Sequence, residues 1–151
     1  MSKIDRIIDH AHQQCTQHGS RLTVKRKRVL VGLLMAEKAL SAYELISICE
    51  TEFGESMPAM SIYRILEFLE REQLVHKLNL ANKYVACSHI TCDHAHEVPQ
   101  FVICGNCQKV KEITINKSIV DQLKANIEHA GFNLVSPQLE MNCICATCLA
   151  G

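Results

Sequence analysis

Two hydrophobic rhythms divide the chain. Up to about residue 70 apolar positions recur every three or four residues; beyond it short alternating runs broken by turn formers flank one further stretch of helical period. Ile4, Ile7, Ile8, Ala11 and Cys15 share one helix face, and Gly19 suits the residue that stops that helix. Thr23 can cap a second helix, with Val29, Leu30, Leu33 and Leu34 as its apolar stripe. Ser41 and Glu44 have capping-box spacing at the head of a third. Its buried face is Leu45, Ile48 and Cys49, where Cys49 reads as core, and Gly54 ends it. Pro58 suits the first turn of a fourth helix. There Ile62, Ile65, Leu66 and Leu69 lie on one face, with Ser61, Tyr63, Arg64 and Glu67 outside it.

The last two helices, joined by a tight turn, describe a helix-turn-helix. After Gln73 the runs LVHKL and KYVAC, separated by NLAN, read as a small hairpin, which makes the arrangement a winged helix. Arg64 can grip phosphate or guanine, and Tyr63 can meet a thymine methyl or a phosphate. The segment SHITCDHAHEVP has neither period and reads as a hinge or metal loop. FVIC and KVKEITI then read as strands around the turn from Cys104 to Cys107. Residues 117–130 read as a helix with Ile119, Leu123 and Ile127 on one face and Gly131 beyond it. FNLVSPQLEM returns as a third extended segment, bent or at an edge because of Pro137. The predicted class is α+β: a winged helix-turn-helix domain over residues 1–86, a hinge over 87–100, and a small α/β domain over 101–151.

Charge supports that division. Residues 1–85 hold 12 Lys and Arg against 10 Asp and Glu, whereas the remainder holds 4 against 6 and seven of the nine cysteines. Five cations fall between Arg21 and Arg28. They form either a solvated helix face, the usual fate of such a run, or a phosphate contact. No apolar run approaches the roughly 20 residues of a membrane helix, and the N-terminus is too charged for a signal peptide. A cytoplasmic protein is expected, and in a reducing compartment nine cysteines point to metal rather than to disulfides.

The stretch from Cys87 to Glu112 concentrates that chemistry. Cys104-x-x-Cys107 and Cys145-x-x-Cys148 form a quartet suited to a closed tetrahedral zinc site, with Cys143 as a lower-ranked substitute. The rival for such pairs is a redox motif at a strand-to-helix junction, where neither pair is expected to lie. A second set is His76, Cys87, His96 and Glu112, with His94 as the alternative to His96. Thiolate, imidazole and carboxylate together suit zinc. Singly, a histidine or glutamate at such places is more often a solvated side chain. Cys92, His89, His94 and His129 offer only a weaker further site. A zinc hydrolase or deaminase is disfavoured: catalytic zinc needs an open position, and neither H-E-x-x-H nor H-x-E with P-C-x-x-C is present.

The stretches RLTVKRKRVL, SAYELI, MSIYRILEFLEREQLVHK, YVAC, FVICGNCQKVKE and the terminal CATC resemble the ferric uptake regulator superfamily, over about residues 20 to 148. Within it the cysteine of YVAC and the preceding VHK are most similar to the zinc uptake regulators (Zur). Val24 departs from the proline usual after Leu-Thr, and the loop from Cys87 to Cys104 is about two residues longer than its counterparts, so the choice between His94 and His96 stays open.

The resemblance implies a C-terminal domain that dimerises and a zinc-dependent repressor of zinc-uptake genes. The homodimer would bind a palindromic operator, an AT-rich inverted repeat, through Tyr63 and Arg64. It implies two zinc ions per chain: a structural one on Cys104, Cys107, Cys145 and Cys148, and a regulatory one on His76, Cys87, a hinge histidine and Glu112. An iron- or peroxide-sensing regulator of the same superfamily is the alternative. Neither reading makes the protein an enzyme.

Overall fold

The computed structural model describes residues 2–91 and 99–151. The chain forms two compact units, Met1–Asp93 and His94–Gly151.

The first unit packs four helices against a hairpin: α1 (Lys3–Gln17), α2 (Val24–Ala36), α3 (Ala42–Phe53), α4 (Ala59–Arg71), β1 (Val75–Leu78) and β2 (Lys83–Ala86). Local chemistry sets most of the boundaries. Ser2 with Asp5, and Ser41 with Glu44, make complete capping boxes, and the Thr23 hydroxyl accepts from the Arg26 N–H. Each cap is worth about 1 kcal/mol. Gly19 and Gly54 have positive φ (76° and 62°), the left-handed stop that a side chain would strain. Pro58 takes the capping position itself and not the first turn, so α4 begins at Ala59 with no side-chain cap.

The expected apolar faces converge on one core. Ile8, Cys15, Leu30, Leu33, Leu45, Cys49, Ile62, Leu66, Leu69 and Leu74 are all buried in it. Burial pushes the thiols of Cys15 and Cys49 up, as expected of core cysteines. Gly32 lets α2 approach α3 closely: a Cβ there would lie 3.3 Å from Ile48. β1 and β2 pair antiparallel from Val75↔Ala86 to Leu78↔Lys83. Two backbone hydrogen bonds between Leu40 and Tyr84 (2.8 and 2.9 Å), with Lys83 3.5 Å from Glu44, fasten β2 to the first turn of α3 and the segment ahead of it. This is a winged helix.

The second unit is a three-stranded sheet with two helices. It comprises β3 (Gln100–Cys104), β4 (Val110–Ile113), α5 (Lys117–His129), β5 (Glu140–Cys143) and α6 (Ala146–Ala150). Strand order is β4-β3-β5, with β4 antiparallel and β5 parallel to β3. The extended segment expected over FNLVSPQLEM contributes only its end. Pro137 has no N–H for a ladder, and its carbonyl accepts instead from the Gln100 side-chain amide (3.0 Å), so regular pairing starts at Glu140. α5 stands where the apolar period placed it, but none of its residues is buried within the single chain. No helix among the described residues is long and apolar enough to cross a membrane.

Candidate metal centre

The quartet is assembled inside the second unit. β3 ends at Cys104, the turn after it carries Cys107, β5 leads to Cys145, and α6 holds Cys148. Parallel pairing of β3 with β5 sets Cys104 beside Cys143, which carries the chain end to the turn. The Gly105 N–H donates to the Cys143 carbonyl (2.9 Å), so Cys143 holds the site through its backbone while its side chain stays exposed. The four sulfurs of Cys104, Cys107, Cys145 and Cys148 lie within 4.8 Å of one another. Two of the separations are 3.7 Å (Cys104 to Cys148) and 3.8 Å (Cys107 to Cys145). The edge of a tetrahedron with metal–sulfur bonds of about 2.3 Å is about 3.8 Å, so the donor set fits zinc.

Backbone donors finish the site, a contribution that no side-chain pattern announces. The N–H groups of Cys107, Cys145 and Asn106 point at the Cys104 sulfur and hold its thiol down to about 6. Cys145 is lowered in the same way by the Cys148 N–H. Cys148 goes the other way, up to about 12, because Cys145 and Cys104 share its proton and clustered sulfurs resist bearing charge together. One expectation is overturned here. Cys145 is the N-cap of α6, with only Ile144 between it and the end of β5, so the second Cys-x-x-Cys does sit at a strand-to-helix junction. The strand starts late, beyond Pro137, and α6 follows at once.

The second set is spread over both units. In the first, His76 lies on β1 opposite Val85, and Cys87 lies just past β2 with its N–H bonded to the Leu74 carbonyl (2.8 Å). Alternation puts the two side chains on one face as a diagonal cross-strand pair, which an imidazole can span. The ligand atoms lie within 4.8 Å of each other. Cys87 is buried and His76 half-buried. In the second unit Glu112 lies on β4 opposite Phe101 and is half-buried. His94, His96 and Cys92 lie outside the described residues.

On α4, Arg64 is exposed, whereas Tyr63 is half-buried against the core and not wholly outside the apolar face. Two of the five cations of the basic run are used within the fold, while Arg21, Lys25 and Lys27 are exposed. Arg26 stacks on Phe68 of α4, 3.7 Å from the ring centre, and Arg28 pairs with Glu55.

The family model for the ferric uptake regulator family matches residues 17–142. The chain belongs to the ferric uptake regulator family. Members of this family are transcription regulators and not enzymes. The zinc uptake regulation protein of Escherichia coli (strain K12) is 31% identical over 143 residues, which are 95% of this chain and 81% of that one. A solved zinc uptake regulator complexed with zinc and DNA superposes with a TM-score of 0.86 at 27% identity, covering 99% of this chain and 97% of the other. The crystal structure of holo XcZur gives 0.80 at 32% identity, covering 98% and 99%.

Proposed function

We propose that this chain is a zinc-responsive transcriptional repressor that binds palindromic operator DNA as a zinc-loaded homodimer and controls zinc-uptake genes. The observation that carries this reading is the Cys87–His76 pair on the hairpin. Its soft and borderline donors suit zinc, and they belong to the unit that also presents Arg64. Similarity to a zinc uptake regulator complexed with zinc and DNA supports it further.

The proposal assigns residues 1–86 to DNA binding, 87–100 to the hinge and 101–151 to dimerisation, in a cytoplasmic protein. Two zinc ions per chain are proposed. Cys104, Cys107, Cys145 and Cys148 hold the structural one. His76, Cys87, Glu112 and one of His94 and His96 hold the regulatory one. A bound zinc ion supplies a coordinate tie among donors that lie far apart in the chain. With donors from both domains and the hinge committed, the two DNA-reading heads of a dimer keep one spacing, which favours an AT-rich inverted repeat with half-sites about a helical turn apart. Tyr63 and Arg64 of α4 contact the DNA.

The test is a gel shift on such a repeat across buffered zinc, and in parallel across buffered ferrous iron, with zinc counted per chain. Cys87→Ser and His76→Ala should leave a folded dimer with one zinc per chain and no zinc-dependent shift. Unchanged operator affinity in either variant overturns the sensor assignment, and a shift driven by ferrous iron and not by zinc overturns the choice of metal.

A further inference from the structure

The polar side of α4 has one residue out of character. Positions 60, 64, 67 and 71 run along a single face, and all four are exposed. Three are charged: Arg64, Glu67 and Arg71. The fourth is Met60, 64% exposed in the first turn. Elsewhere this helix separates its faces cleanly, with Ile62, Ile65, Leu66, Phe68 and Leu69 all buried. Exposed apolar side chains also occur at Val24 (63%) and Leu80 (72%), so what singles out Met60 is its place on the face that carries Arg64. The same end of α4 is open to an anionic partner. It has no side-chain cap and no acid in its first turn, whereas α1 and α3 carry Asp5 and Glu44 at theirs.

We propose that Met60 determines base specificity by packing on the C5-methyl group of a thymine in the major groove. This rests on the DNA-binding reading above and sharpens it. A recognition helix meets base edges with its first turns. Met60 lies one turn ahead of Arg64 on the same face, so when Arg64 reaches the duplex Met60 faces a neighbouring base pair. The thymine methyl is the one apolar group on a major-groove edge. An unbranched thioether adapts to such a contact without a hydrogen bond to satisfy. Met60 therefore separates T·A from C·G, while Arg64 supplies phosphate or guanine contact.

The zinc-loaded full-length chain is presented with a random duplex library, and the sequences enriched by wild type, Met60→Ala and Met60→Leu are compared. Wild type and Met60→Leu should enrich one symmetry-related pair of thymines that Met60→Ala does not select, with the rest of the motif unchanged. The enriched duplex is then remade with deoxyuridine at that pair, which removes only the methyl groups. The change should weaken wild type about fourfold per half-site, the value of one buried methyl, and leave Met60→Ala unaffected. The proposal is overturned if Met60→Ala keeps both the thymine preference and the uracil penalty. It is equally overturned if that variant loses affinity by the same factor on every duplex, which marks a backbone contact. If wild type enriches nothing, the DNA-binding reading fails and this one with it. Equal melting temperatures for the three proteins show that the fold is not the variable.

Discussion

At the scale of single residues, the quartet's chemistry is set by protons. Cys104, near 6, is a thiolate at neutral pH, and Cys145 is shifted the same way. Cys148 is pushed the other way by Cys145 and Cys104, so the cluster holds a shared proton that a cation entering the four sulfurs must expel. The sign follows: acid restores protons to the sulfurs and opposes metal, and alkali favours it. Between pH 7 and 9 zinc affinity should rise about tenfold per pH unit for each proton released, with the shared proton of the cluster contributing one. Competition against a chelator of known affinity, with proton release counted in weak buffer, measures this. Affinity that does not change with pH would mean that the cluster meets metal fully ionised.

The elements decide how the basic run is used. Arg26 lies over the Phe68 ring and donates to the Arg21 carbonyl (2.7 Å), which staples α2 to α4. Arg28 pairs with Glu55 and lies 5.8 Å from the Phe53 ring centre. Arg26→Ala should therefore cost about 1 kcal/mol of stability, because no guanidinium then covers the Phe68 ring. Neither Arg26→Ala nor Arg28→Ala should change the slope of log affinity for DNA against log salt. Arg64→Ala should leave stability near wild type and lower that slope by about 0.9 for each phosphate that the arginine neutralises. Chemical melts alongside binding titrations at several salt concentrations separate the two classes. A reduced slope in Arg26→Ala would return that residue to the DNA surface. Arg21, Lys25 and Lys27 are exposed as a solvated face requires, whereas the packing of Arg26 and Arg28 depends on Phe68 and Glu55, which lie far from them in sequence.

For the whole molecule, the second unit has a shortage of core. A unit of about 60 residues buries too little of its surface to be comfortably stable alone. Its long helix α5 contributes no buried residue, and Ile119, Phe132 and Val135 are exposed. The dimer proposed above would resolve this by covering that apolar surface with a second copy. Leu123→Asp on the same helix face should give a monomer by sedimentation at micromolar concentration, with a lowered melting temperature and weakened operator binding. A variant that stays dimeric would move the interface away from α5.

Local rules made much of this protein legible in one dimension. Caps at Thr23 and Ser41, stops at Gly19 and Gly54, the four helix faces, the hairpin and the paired cysteines all follow from interactions within a few residues, which the sequence states directly. What needed the tertiary structure involves distant partners. Parallel pairing of β3 with β5 brings Cys145 and Cys148 to Cys104 and Cys107, since a crossover can be closed only when its strands meet. Pro137 shortened the last strand because the amide that takes its carbonyl belongs to Gln100, 37 residues earlier. The charge run at Arg21–Arg28 and the lone Met60 look alike as exposed helix positions in the sequence. Only packing shows that the fold uses Arg26 and Arg28 and leaves Met60 in water.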